Sequence, residues 1–131
     1  MADSDDFGRE RKPSYRRLEV WQAAMDLAEN VCRLTRCFPS EERFALARQL
    51  NSAAVSVPSN IAEGYGRMHR REYIHHLSMA RGSLMEAEAQ LTLAVRLGYL
   101  NRDDVLQAWD TAQRTGRMLH RLIQSLSDDD P

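Results

Sequence analysis

Glycine and proline are scarce in these 131 residues, six and four respectively. Prolines stand only at 13, 39, 58 and 131, and glycines at 8, 64, 66, 82, 98 and 116. Long stretches therefore lack the residues that punctuate turns. No stretch alternates apolar and polar residues as a half-buried strand requires, which excludes a sheet protein. No apolar run reaches the ~18–20 residues of a membrane span. The opening Met1-Ala2-Asp3-Ser4-Asp5-Asp6 is acidic and reads as neither a secretory signal nor a transit peptide. There are two cysteines, Cys32 and Cys37, five apart in a helical stretch and so on different sides of it. Reduced thiols in a cytosolic protein are expected rather than a staple. Lysine is nearly absent too, Lys12 standing against seventeen arginines.

At 43% hydrophobic and 28% charged residues, the composition is that of one soluble globular domain. The net charge of −1 conceals an asymmetry. Six of the 19 acids lie in the two ends, Asp3, Asp5, Asp6 and Asp128, Asp129, Asp130, leaving 13 acids against 18 bases between them. The arginines suit phosphate and carboxylate partners, whose geometry their planar forks match. They equally suit a solvated surface.

The apolar residues keep helical spacing throughout. A first helix is expected from Leu18 to Cys37, with Val20, Ala24, Leu27, Val31, Leu34 and Phe38 on one seam and Leu18, Trp21, Met25, Ala28 and Cys32 on a second. Two seams make an apolar arc too wide for one simple bundle to cover, so Leu18, Trp21, Met25 and Cys32 are expected to meet another subunit. After Phe38-Pro39, Ser40 is the expected N-cap of a second helix, with Glu41 and Glu42 in its first turn. Pro58 is expected to bend or interrupt that helix, and Gly64 and Gly66 to end it. A third helix, Arg70 to Leu97, carries Tyr73, Leu77, Ala80, Leu84, Ala87, Leu91 and Ala94 at 4-3 spacing. A fourth, capped by Asn101 or Asp103, carries Val105, Trp109, Ala112, Gly116, Leu119, Ile123 and Leu126. Four long helices with short connections imply an all-α, antiparallel up-down four-helix bundle over 16–126, between a leader at 1–15 and an acidic tail at 127–131.

Little in the chain suggests catalysis. Glu72-x-x-His75 has the spacing of di-iron bundle ligands, but the second such pair that those sites need is missing. His69, Glu72 and His76 share a face and are more simply solvated surface, so neither a metal nor a cofactor is expected. Cys32 has no neighbouring base, and Glu86 and Glu88, two apart, point in different directions. Two basic patches are candidates for phosphate or an acidic partner: Arg67, Arg70 and Arg71 with His69 at the second turn, and Arg114, Arg117 and Arg121 opposite the fourth helix's apolar seam. No aromatic residue interleaves with them to stack bases. Ser56, Asn60 and Glu63 at i, i+4 and i+7, with Arg81 and Glu88 beside the third seam, are expected to form a buried polar network fixing helix register.

Gln49-Leu50-Asn51-Ser52-Ala53-Ala54-Val55-Ser56-Val57-Pro58-Ser59-Asn60-Ile61-Ala62-Glu63-Gly64 resembles the signature of the four-helix proteins first noticed in intervening sequences of bacterial 23S ribosomal RNA genes. Ala80-Arg81-Gly82-Ser83-Leu84-Met85-Glu86-Ala87-Glu88 is similar to its second block, Leu18-Glu19-Val20-Trp21 and Phe38-Pro39-Ser40-Glu41-Glu42 to its start, and Leu97-Gly98-Tyr99-Leu100 to its last turn. The resemblance implies a homopentameric ring without enzymatic activity. It also brings in a relative, the accessory protein of diversity-generating retroelements, that binds a reverse transcriptase and nucleic acid. The expected function is a cytoplasmic, homo-oligomeric helical scaffold, away from membranes, offering its arginines to nucleic acid or to an acidic protein. The alternative is a purely protein-binding adaptor.

Overall fold

A computed structural model describes residues 14–42 and 44–128. Residues 1–13 of the predicted leader and 129–131 of the predicted tail lie outside them, while 127 and 128 belong to the last helix. Four α-helices account for most of the described residues, and no strand occurs among them. They are α1 (Glu19–Leu34), α2 (Leu46–Tyr65), α3 (Arg70–Arg96) and α4 (Arg102–Asp128). Each packs on two neighbours, α1 on α2 and α4, and α3 on α2 and α4. None is long and apolar enough to cross a membrane.

The chain enters through a 3-10 turn, Tyr15–Arg17, whose start is held by Ser14 Oγ accepting from the Arg16 amide at 3.1 Å. α1 ends three residues earlier than its apolar period suggests. Pro39 disfavours helical geometry at the residue before it, and Phe38 is extended, with ψ 151°. The chain tightens into a 3-10 turn over Thr35–Cys37 to reach that point. Thr35, buried, donates from Oγ1 to the Cys32 carbonyl (3.1 Å) and to Asn51 Oδ1 (2.8 Å), tying the end of α1 to α2.

Ser40 does not cap α2, contrary to expectation. Ser40–Glu42 forms its own 3-10 turn, closed by the Glu42 amide on the Pro39 carbonyl at 2.9 Å. Glu42 is drawn toward the far turn of the bundle, where its Oε1 accepts from the Tyr99 hydroxyl at 2.9 Å. Phe38 packs on the Tyr99 ring in the same place, with centroids 5.5 Å apart. α2 starts only afterwards, with Ala45 in the cap position and no side-chain cap. It then runs unbroken through Pro58, so the interruption expected there does not occur.

The core is built from leucine and alanine. Leu27, Val31, Leu50, Val57, Ile61, Leu77, Leu84, Leu91 and Leu119 are all fully buried. On α3 the predicted seam is buried from Leu77 to Ala94, with leucine and alanine alternating. Small residues there let α2 and α4 approach closely. On α4 the buried line is Val105, Ala108, Ala112, Thr115 and Leu119, one position round from part of the expected seam. Trp109, Ile123 and Leu126 pack at its edge instead. Ala108 and Thr115 fit where an indole would not, and the Thr115 hydroxyl is satisfied by the Thr111 carbonyl at 2.7 Å. Gly98, at φ 80°, allows the left-handed turn that ends α3. The Tyr99 amide then reaches back to the Ala94 carbonyl (2.9 Å) and the Gly98 amide to that of Val95 (3.0 Å).

Candidate functional site

Three surfaces and one interior network hold most of the residues singled out by the sequence. The network lies between α2 and α3. Asn60 Nδ2 donates to the Ser56 carbonyl (3.0 Å) and to Ser56 Oγ (2.9 Å) one turn earlier. Ser83 Oγ, on α3, donates to the same Ser56 oxygen at 2.9 Å. With both donors of its amide turned toward Ser56, Asn60 presents Oδ1 to His76 Nδ1 at 3.3 Å. That contact requires the His76 proton on Nδ1. Glu63 Oε2 stands 3.9 Å from the same nitrogen, while its Oε1 accepts from Arg67 at 2.9 Å. Ser56 and Asn60 therefore meet as expected, with Glu63 at the margin.

Arg81 and Glu88 lie elsewhere. Arg81 is exposed and Glu88 half-buried, and among the described residues neither side chain bonds to the network. They occupy the flank of α3 toward α4, whereas the flank toward α2 carries His76 and Ser83. These two are seven residues apart on one face and stand beside the α3 seam just as Arg81 and Glu88 do. Without knowing which flank met α2, either pair satisfied the pattern.

α2 and α3 approach closely where the network ends. A Cβ on Gly64, which is buried, would stand 2.7 Å from His76 Cβ and 3.1 Å from Tyr73 Cδ1. Only glycine lets the helices meet this tightly. Tyr73 packs edge-on against Tyr65, centroids 6.0 Å apart. Burial, and secondarily the neighbouring Tyr65, pushes the Tyr73 hydroxyl above its ordinary pKa. The Tyr99 hydroxyl is raised as well, chiefly by its hydrogen bond to Glu42, then by burial and the charges of Glu42 and Glu41. No serine in the network meets the His76 imidazole directly; Asn60 stands between them. The arrangement holds two helices in register and leaves no activated nucleophile.

The first surface is an apolar groove of ≈520 Å³ between α1 and α2. Trp21, Met25, Ala28 and Cys32 form one wall, and Val55, Pro58, Ser59 and Ala62 the other, with Glu29 on the rim. Leu18 and Trp21 are half-buried against the core, Cys32 is half-buried, and Met25 remains 38% exposed. The second seam of α1 is thus only partly covered by its own chain.

The second surface is the outer ridge of α4, where Arg114, Arg117 and Arg121 are all exposed, opposite the buried line ending in Thr115 and Leu119. The third is the turn into α3, with Arg67, Arg70 and Arg71 exposed around Met68, itself 93% exposed. Arg67 is engaged by Glu63. His69 occupies the cap position of α3 without capping it. A polar hollow of ≈320 Å³ between α1 and α4 contains Asp26, Glu29, Arg33 and Gln107. Among the described residues no three histidines, cysteines or carboxylates converge as metal ligands would.

A family model, the 23S rRNA-intervening sequence protein, matches residues 16–121, which takes in the whole α2–α3 network and the core built around it. The chain belongs to the 23S rRNA-intervening sequence protein family. No curated protein sequence matches it significantly. Among solved structures, a protein of unknown function from the S23 ribosomal protein family of Bacteroides thetaiotaomicron shares its fold. That structure superposes with a TM-score of 0.74 at 22% identity, covering 79% of this chain and 97% of the other. The segment 49–64 that resembled the family signature is the one that supplies Ser56, Asn60, Glu63 and Gly64 to the α2–α3 contact. In this member of the 23S rRNA-intervening sequence family, the signature therefore encodes a helix-packing device.

Proposed function

We propose that the protein is a non-enzymatic, cytoplasmic scaffold, an up-down antiparallel four-helix bundle that assembles with copies of itself and displays arginines to an acidic partner. Short connections between long neighbouring helices support the antiparallel order. The observation that carries self-assembly is the groove that the folded chain leaves open beside Trp21 and Met25. Contiguous exposed apolar surface of this kind on a small protein marks an interaction site. The family resemblance supports a pentameric ring. Nucleic acid is the favoured partner because Arg114, Arg117 and Arg121 form an exposed row along one helix face, spaced to meet successive phosphates.

Labelled RNA and DNA titrated at increasing salt test this reading. Binding at low salt that weakens steeply with salt is the expected outcome, because neutralised phosphates release counterions. The triple substitution Arg114→Glu, Arg117→Glu and Arg121→Glu abolishes that binding if the row carries it. No binding at low salt, or an affinity indifferent to salt, contradicts it.

The exposed Met68 amid Arg67, Arg70 and Arg71 favours a second reading, an adaptor for an acidic protein with an apolar contact. Protein without nucleic acid co-purifying with the wild type, and lost when Arg67, Arg70 and Arg71 are replaced by glutamate, would support the adaptor.

A further inference from the structure

The turn between α2 and α3 is basic and has an uncovered apolar centre. Residues 64–71 carry three arginines and His69 and no acid. Met68, 93% exposed, stands among them. A single exposed methionine is ordinary, but cations flank this one on both sides along the chain. Arg70 and Arg71 open α3, at the positive end of its dipole, where acids are favoured instead. Arg67 is met by Glu63, an exposed pair of the kind that exchanges partners at little cost. Such a surface fits a partner whose acids sit beside an apolar residue.

The chain itself holds that combination. Asp3-Ser4-Asp5-Asp6-Phe7 has three acids, no base and one aromatic ring. The leader that bears it joins the described structure at Ser14, close to the turn, because Tyr15 shares the wall of the α1/α2 groove with Ser59 and Ala62. Residues 62–65 cover about 5 Å of α2, and Arg67 follows two residues on. The leader from Ser14 back to Asp6 spans up to about 26–29 Å when extended, so reach is ample. The other acidic segment, Asp128-Asp129-Asp130, has no apolar residue among or after its acids to meet Met68.

We propose that the segment 3–7 folds back onto the α2–α3 turn of its own chain, its aspartates on Arg67, Arg70 and Arg71 and Phe7 on Met68. An acidic polypeptide reaching this turn must then displace the leader. The contact is independent of self-assembly and of the arginine row on α4.

The test follows the Met68 methyl signal by NMR in the full-length chain with carbon-13 at its methionine methyls, assigned through Met68→Leu. In the wild type at low salt, the Phe7 ring is expected to displace that signal from the position of a methyl in water. Phe7→Ala is expected to return it, as are Asp3→Asn, Asp5→Asn and Asp6→Asn combined. Salt at about 1 M, where charges are screened beyond about 3 Å, is expected to do the same. Fluorescein-labelled poly-L-glutamate serves as the acidic polypeptide, and Phe7→Ala, which keeps the charge, is expected to bind it several-fold more tightly than the wild type does. A wild-type signal already at the water position, or a displacement that survives Phe7→Ala, would overturn the contact. A displacement abolished only by Asp128→Asn, Asp129→Asn and Asp130→Asn would give the turn to the tail instead. Equal affinity of wild type and Phe7→Ala for poly-L-glutamate would overturn the competition.

Discussion

At the scale of single residues, the α2–α3 contact depends on an absent side chain and a chain of hydrogen bonds. Gly64→Ala inserts a methyl group 2.7 Å from His76 Cβ, in a place lined by backbone and a ring. Overpacking of this kind costs about 1–3 kcal/mol, to be read from urea unfolding midpoints. Asn60→Ala leaves the His76 N–H without its acceptor and takes the amide donor from the Ser56 carbonyl and Oγ in a largely buried place, His76 being 12% exposed. A loss of about 1–3 kcal/mol is expected by the same measurement. Tyr73 adds a pH dependence. Its folded-state pKa lies above the ordinary value of 10.0, so the folded state holds a proton that the unfolded chain gives up first. Its contribution is fully present below pH 10 and is lost as pH rises through the raised folded value. Tyr73→Phe is expected to flatten the fall in unfolding midpoint above pH 10; an unchanged slope would refute that assignment. Ser56 and Asn60 were legible in the sequence as polar residues on an apolar helix face. Their partners on α3 were not, because His76/Ser83 and Arg81/Glu88 have the same spacing and only the packing of α2 chooses between them.

At the scale of elements, periodicity located all four helices, and α3 lies within a residue of its expected span. It failed where a tertiary contact competed with local preference. Ser40-Glu41-Glu42 has the composition of a helix start, yet the Glu42–Tyr99 hydrogen bond and the Phe38–Tyr99 ring contact pull that segment across the end of the bundle. Tyr99→Phe removes the hydroxyl but keeps the ring, so it is expected to leave the fold intact while loosening Ser40–Glu42, seen as faster amide exchange in that segment. The α4 seam shifted for a different reason. Small side chains at 108 and 115 pack closer than Trp109 can, a choice of volume that a hydrophobic period does not encode. The arginine row on the same helix is independent of that packing. Replacing Arg114, Arg117 and Arg121 with glutamate is expected to change stability by no more than about 0.5 kcal/mol per site, checked by thermal melts. Any loss of binding would then reflect charge rather than unfolding.

At the scale of the whole molecule, one chain covers its core and leaves two sides greasy. The sequence already carried half of this in the doubled seam of α1, whose second line became the wall of the α1/α2 groove. The other half, the hollow that Val95, Leu106 and Trp109 line between α3 and α4, escaped notice because its walls belong to two helices whose adjacency no spacing reveals. Family membership agrees with the helical architecture and is silent about the partner, so mass in solution carries the greatest weight. Static light scattering on the purified chain at micromolar concentration measures it directly. The account predicts a particle several times 15.1 kDa. A stable species of one chain, with Trp21 and Met25 facing water, would contradict it.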